Sequence, residues 1–102
     1  MINHDSLVGK VNQKLPGWKL INHSLHRNLS FTSTSASLAF TNRLTTVAEQ
    51  QHHHPSVFID GPQVKIELYT HDTGGITEKD FVLAEEINTL IKKYFHGVVH
   101  EK

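Results

Sequence analysis

Gln63-Val64-Lys65-Ile66-Glu67-Leu68-Tyr69 decides the fold. Val64, Ile66 and Leu68 alternate with Lys65, Glu67 and Tyr69, so one face is apolar and the other polar. That period of two predicts a strand whose sheet is covered on one side only. Immediately upstream, Asp60-Gly61-Pro62 reads as a turn and Ser56 to Ile59 as a partner strand, which together make an antiparallel hairpin. A sheet covered on one side needs helices to cover it, and the flanking sequence supplies them.

Before the hairpin, the spacing predicts a helix from Ser35 to Gln51, with Ala36, Phe40, Leu44, Val47 and Ala48 as its apolar stripe. Asn42, Arg43, Thr46 and Glu49 fall off the stripe, and the Thr32 to Ser35 cluster offers N-cap oxygens. Pro55 disfavours helical geometry at His54, which places His52-His53-His54 at the helix C-terminus. After the hairpin comes a glycine-bearing loop, Thr70 to Gly75. Thr77-Glu78-Lys79-Asp80 then has the form of a capping box. The helix it opens is predicted to bury Phe81, Ala84, Ile87, Leu90, Ile91 and Tyr94.

Near the N-terminus, Leu7, Val8, Val11 and Leu15 give Asp5 to Leu15 helical spacing, ended by Pro16-Gly17. Trp18 to Ile21 and Leu25 to Phe31 read as strands around Asn22-His23-Ser24. The second strand places Leu25, Arg27, Leu29 and Phe31 on one face, with Arg27 the exception to its apolar character. The order is α-β-β-α-β-β-α. It predicts an α+β two-layer fold, a four-stranded antiparallel sheet with helices on one face, in a single domain over residues 1–102. The other sheet face is left to solvent or to a partner chain.

Ten basic residues balance ten acidic ones. The absence of a basic stripe argues against electrostatic capture of nucleic acid or an anionic membrane. No apolar run approaches membrane-spanning length, and Met1 to Asp5 lacks the pattern of a signal peptide, so a cytoplasmic location is expected, or a nuclear one in a eukaryote. With no cysteine, disulfides and thiol catalysis are excluded. What the composition does offer is histidine, nine residues of it, three of them consecutive before Pro55. Imidazole gives and takes protons near neutral pH, so this cluster invites a chemical reading. Histidines and carboxylates also build zinc sites. Here no H-E-x-x-H spacing appears, and adjacent His53 and His54 diverge on a regular helix, so no required metal is expected.

The assembled residues resemble the pterin-4a-carbinolamine dehydratase family. The resemblance rests on Gly17-Trp18, Phe40, Arg43 and Ala48-Glu49, then His53-His54-Pro55 after three intervening residues. It continues through Thr70-His71, Gly74, Thr77, Asp80 and Leu83-Ala84. The chain departs from the family pattern at two places. His52 stands where Asp or Asn usually precedes the histidine pair, and Gly61 stands where an aromatic residue usually lies. The first departure is expected to change hydrogen bonding and charge beside the pocket, the second to change a turn or an interface.

The resemblance implies dehydration of 4a-hydroxytetrahydrobiopterin to quinonoid dihydrobiopterin, a hydro-lyase reaction that recycles the pterin of aromatic amino-acid hydroxylases. It implies His53, His54 and His71 as the catalytic set. His53 and His71 would exchange protons at the hydroxyl-bearing carbon, and His54 would position the ring or serve as a second acid-base group. Glu49 and Asp80 are supporting candidates: Glu49 orients an imidazole or is merely exposed, while Asp80 is read as a helix cap ahead of a catalytic acid. His52, Pro55, Tyr69, Thr70 and Asp72 complete the implied pterin site, with His52, Tyr69, Thr70 and Asp72 acting through backbone groups. The pterin is a substrate, and no cofactor is implied. Homodimers or homotetramers are the implied assemblies. The competing reading is a non-enzymatic oligomeric adaptor or transcriptional coactivator on the same fold, against which the retained histidines weigh.

Overall fold

The computed structural model describes residues 4–70 and 74–101. Its elements are α1 (His4–Lys14), β1 (Lys19–Ile21), β2 (Ser24–Phe31), α2 (Thr34–Gln50), β3 (Ser56–Asp60), β4 (Gln63–Leu68), α3 (Glu78–Tyr94) and β5 (Val99–Glu101). The helices and the two hairpins follow the expected order, with ends displaced by a residue or so. β5 is an addition that enlarges the expected four strands to five. Only three residues long, it follows Gly97 and is too short to show a period of its own.

The sheet is antiparallel with strand order β1-β2-β4-β3, and β5 also pairs with β2. β1 meets β2 near its start, where Lys19 faces His26, and β5 meets it near its end, where Val99 faces Phe31. At the centre, Leu25, Arg27 and Leu29 lie opposite Leu68, Ile66 and Val64. These positions point toward the helices, while His26, Asn28, Lys65 and Phe58 belong to the alternate, outward set. Each hairpin turns on two residues. Asn22 (φ +57°) and Gly61 (φ +56°) take the first central position, where positive φ matches the twist of the strands. Gly61 therefore lies within a hairpin turn. Its positive φ suits glycine, and the nearest atom to a Cβ there would be Thr34 Oγ1 at 3.7 Å.

One core joins the layers. Val11 from α1 and Leu15 just after it, Phe40 and Leu44 from α2, and Leu83, Ala84 and Ile87 from α3 are buried against Leu25, Leu29, Ile66 and Leu68. Phe31, Phe40 and Phe95 close one end as an aromatic trio, with ring centroids 5.2–5.8 Å apart. Trp18 is buried, and its indole N–H donates to Asn88 Oδ1 at 2.9 Å, tying the start of β1 to α3. Tyr94 departs from its expected place: it is 47% exposed, with the Arg43 guanidinium 3.8 Å from its ring centroid. An amphipathic ring at the end of a helix can satisfy a neighbouring cation and stay at the surface.

Arg27 completes the inward row of β2. It is buried, and its Nη1 donates to the Pro16 carbonyl at 2.6 Å. Burial lowers its pKa to about 10, so it is cationic at neutral pH. Gly17 (φ +86°) makes room for this contact, because a Cβ there would sit only 1.5 Å from Arg27 Nη1.

Candidate functional site

The site is built where the end of α2 meets the beginning of α3. α2 stops at Gln50, and the chain reverses through Gln51 and His52. His52 takes φ +53°, its N–H donates to Glu49 O, and the His53 N–H donates to Ala48 O, both at 3.1 Å. These are the paired bonds of a Schellman motif with His52 at the left-handed position, one that histidine enters more readily than most residues. Helical spacing therefore does not extend from Glu49 to His53. Glu49 is exposed, and its side chain makes no hydrogen bond or ion pair among the described residues.

The reversal separates the three histidines. His52 and His54 are exposed, whereas the His53 side chain retains 12% exposure and turns inward. There its Nε2 lies 2.5 Å from Oδ1 of Asp80, a carboxylate with no solvent exposure. The other carboxylate oxygen, Oδ2, accepts from the Thr77 backbone N–H at 2.9 Å and from the Thr70 hydroxyl at 2.5 Å. The hydroxyls of Thr70 and Thr77 are 3.0 Å apart.

Asp80 thus caps α3 as its sequence indicates, and the same carboxylate receives an imidazole from the end of α2. The N-terminus of α3 favours negative charge at that point. A carboxylate oxygen of Asp80 facing a histidine N–H is an arrangement that orients the ring. This pairing was not legible in the sequence, because Asp80 and His53 lie 27 residues apart. Nor does the sequence mark the Thr77 hydroxyl as part of a site. The signal available was Thr77-x-x-Asp80, which specifies the cap but not what else the carboxylate binds.

Thr70 and Gly75 form an isolated antiparallel bridge. The Thr70 N–H donates to Gly75 O, and Thr70 O accepts from Gly74 N–H. Pro55 and Tyr69 are half-buried. His71 and Asp72 lie outside the described residues. A cleft of about 650 Å³ elsewhere is lined by residues including Lys14, Arg27, Glu85, Asn88, Lys92 and His96, along the later turns of α3. Neither His53 nor Asp80 borders it, and its lining shows no hydrogen-bonded imidazole–carboxylate pair among the described residues. Volume alone does not provide proton-transfer chemistry, so the His53–Asp80 end is the better candidate. Among the described residues, no helix is long and apolar enough to cross a membrane.

Comparison with known proteins identifies the family. The family model described as pterin 4 alpha carbinolamine dehydratase matches residues 2–90. A Thermosynechococcus vestitus protein whose name carries that dehydratase designation provisionally is 46% identical over 74% of this chain and 80% of its own length. The mitochondrial pterin-4-alpha-carbinolamine dehydratase 2 of Arabidopsis thaliana is 43% identical over 76% of this chain, which spans 44% of that protein. A solved structure, a transcriptional coactivator/pterin dehydratase from Brucella melitensis, superposes with a TM-score of 0.81 at 25% identity. The match covers 87% of this chain and 96% of that one. By sequence match and by fold, the chain belongs to the pterin-4a-carbinolamine dehydratase family of hydro-lyases.

Proposed function

We propose that this protein dehydrates a 4a-hydroxytetrahydropterin, 4a-hydroxytetrahydrobiopterin in the first instance, to the quinonoid dihydropterin by histidine general acid-base catalysis. The observation that carries the proposal is the hydrogen bond between His53 and the buried carboxylate of Asp80, in a chain that belongs to the dehydratase family. The C4a hydroxyl leaves poorly as hydroxide, so an acid protonates it and it departs as water. The N5 lone pair drives that departure and leaves a cationic C4a=N5 bond. A base then takes one proton from the ring system, giving the neutral quinonoid product. One proton is supplied and one removed, so the net change is loss of water.

His53 and His71 are assigned these exchanges at C4a, and His54 the positioning of the ring or the second acid-base role. Positioned proton transfer of this kind contributes roughly 10²–10⁴-fold in rate. His52, Pro55, Tyr69, Thr70 and Asp72 are assigned to the pterin site. The N–H groups of His52 and Thr70 are already engaged within the protein, so any backbone contact these two make with pterin runs through their carbonyls.

In this reading the pterin is substrate, no metal or resident cofactor takes part, and an aromatic amino-acid hydroxylase supplies the hydroxypterin. Self-association as a homodimer or homotetramer belongs to the proposal. β3 ends the sheet path, and it carries Phe58 at 61% and Ile59 at 43% exposure. Uncovered strand edges of this kind favour pairing with another chain.

The test is a stopped-flow assay of 4a-hydroxytetrahydropterin dehydration, with and without chelator. Acceleration insensitive to chelator and lost in the His53→Ala/His71→Ala double variant is expected. Folded protein that gives no acceleration, or a double variant with full activity, would overturn the assignment.

A further inference from the structure

We propose that the hydroxyls of Thr70 and Thr77 form a one-way hydrogen-bond relay into Asp80 that sets the tautomer of His53. In this arrangement Nε2 keeps its proton and Nδ1 is the nitrogen that exchanges protons with substrate. The word substrate rests on the dehydratase reading; the relay and the tautomer do not.

The direction of the relay follows from counting protons. Asp80 is fully buried, and the Thr77 backbone N–H can only donate to its Oδ2. Each threonine hydroxyl has a single proton to give. The hydroxyl of Thr70 gives its proton to Oδ2. Thr70 Oγ1 then acts as acceptor toward Thr77 Oγ1, 3.0 Å away, so the Thr77 hydroxyl proton points at Thr70. The Asp80 backbone N–H donates to the Thr77 carbonyl, which leaves the Thr77 hydroxyl to the relay.

Every donor in the network therefore runs toward an ionised Asp80. The helix N-terminus on which Asp80 sits favours that negative charge. With Oδ2 occupied by two donors, Oδ1 presents an acceptor to His53 Nε2 at 2.5 Å. An imidazole that donates from Nε2 in its neutral form has its lone pair on Nδ1. Among the described residues, Nδ1 of His53 has no hydrogen-bond partner. Thr70 and Thr77 are thus positioning residues. They act through Asp80 on His53 without entering the reaction.

The relay explains why Thr70 needs a hydroxyl in particular. Valine has nearly the same shape but gives Oδ2 no proton, leaving the carboxylate less firmly held in its ionised orientation. Serine restores the donor.

The test is the ring-nitrogen NMR spectrum of His53 in ¹⁵N-labelled protein, held above the imidazole titration, for wild type, Thr70→Val and Thr70→Ser. Wild type should show the Nε2–H form, Thr70→Val a mixture of tautomers, and Thr70→Ser the wild-type pattern. In the dehydration assay, Thr70→Val should lower kcat by about tenfold with KM little changed, and Thr70→Ser should restore it. An Nδ1–H tautomer in wild type would overturn the relay even if no variant folds. So would a folded Thr70→Val protein with wild-type tautomer and kcat. If wild type shows the expected tautomer and its response to Thr70→Val but accelerates no dehydration, the relay stands and the substrate assignment fails.

Discussion

Arg27 and Asp80 are both ionisable, both buried within one small fold, and they are put to different uses. Arg27 lies on the inward face of β2 and donates to a main-chain carbonyl in the turn between α1 and β1. Asp80 lies in the first turn of α3 and receives hydrogen bonds from a main-chain N–H, a hydroxyl and an imidazole. A carbonyl cannot change its protonation near neutral pH, so the Arg27 contact fixes backbone. An imidazole can, so in the proposed reaction the Asp80 contact would couple fold to chemistry. Burial of a charge is therefore a poor guide to function until the charge's partners are known.

The strongest challenge to this contrast is Asp80→Asn. Asparagine keeps the size of the side chain but places an amide N–H₂ among groups that donate. The dehydration rate is expected to fall by about 10²-fold or more, a loss that stopped-flow kinetics on folded variant would show. Near-wild-type turnover would reduce Asp80 to a helix cap and erase its difference from Arg27.

Gly17→Ala challenges the structural side. It places a non-glycine residue at φ +86° and drives a Cβ into Arg27 Nη1. Strain and the lost hydrogen bond together should cost about 2–4 kcal/mol. For a domain of this size that lowers Tm by roughly 10–20 °C in a thermal melt. Activity measured well below the new Tm should be retained, and a specific loss of kcat in the folded variant would mean that Arg27 is coupled to the site after all.

Arg27→Lys makes the finest distinction. It keeps a buried cation but loses the planar fork, at an expected cost of about 1 kcal/mol. Denaturant unfolding should register that change while the dehydration rate stays at the wild-type value. A larger effect on rate than on stability would contradict the division.

Local pattern made most of the framework legible. Alternation in Val64 to Leu68, the stripe through Phe40 and Leu44, the stop at Pro16-Gly17 and the Thr77–Asp80 cap each depend on residues within a few positions of one another. Arg27 was recognised as standing on an apolar face. Its destination was not, since the cavity it fills is made by Gly17 in another segment. β5 escaped notice because three residues cannot display a period. Helical phase points Tyr94 toward the core, yet α3 ends there and Arg43 lies over its exposed ring.

The histidine cluster is conspicuous in the sequence, and the resemblance assigns His52, His53 and His54 different roles, but spacing does not show which imidazole turns inward. The left-handed turn at His52 sends His53 inward and leaves its neighbours exposed. The same turn rationalises one departure from the family pattern, since Asn and Asp, the usual residues there, also tolerate that conformation.

The single tryptophan gives the molecule an internal optical gauge. Trp18 is 3% exposed, and its indole is hydrogen-bonded to Asn88, 70 residues further along the chain. Its emission should be that of a shielded indole in the native protein and shift to longer wavelength only when α3 parts from the start of β1. Because Trp18 stands beside Gly17 and apart from the His53–Asp80 contact, fluorescence can follow loss of the scaffold while absorbance follows the pterin. Scaffold and chemistry can thus be read in one cuvette by two colours of light.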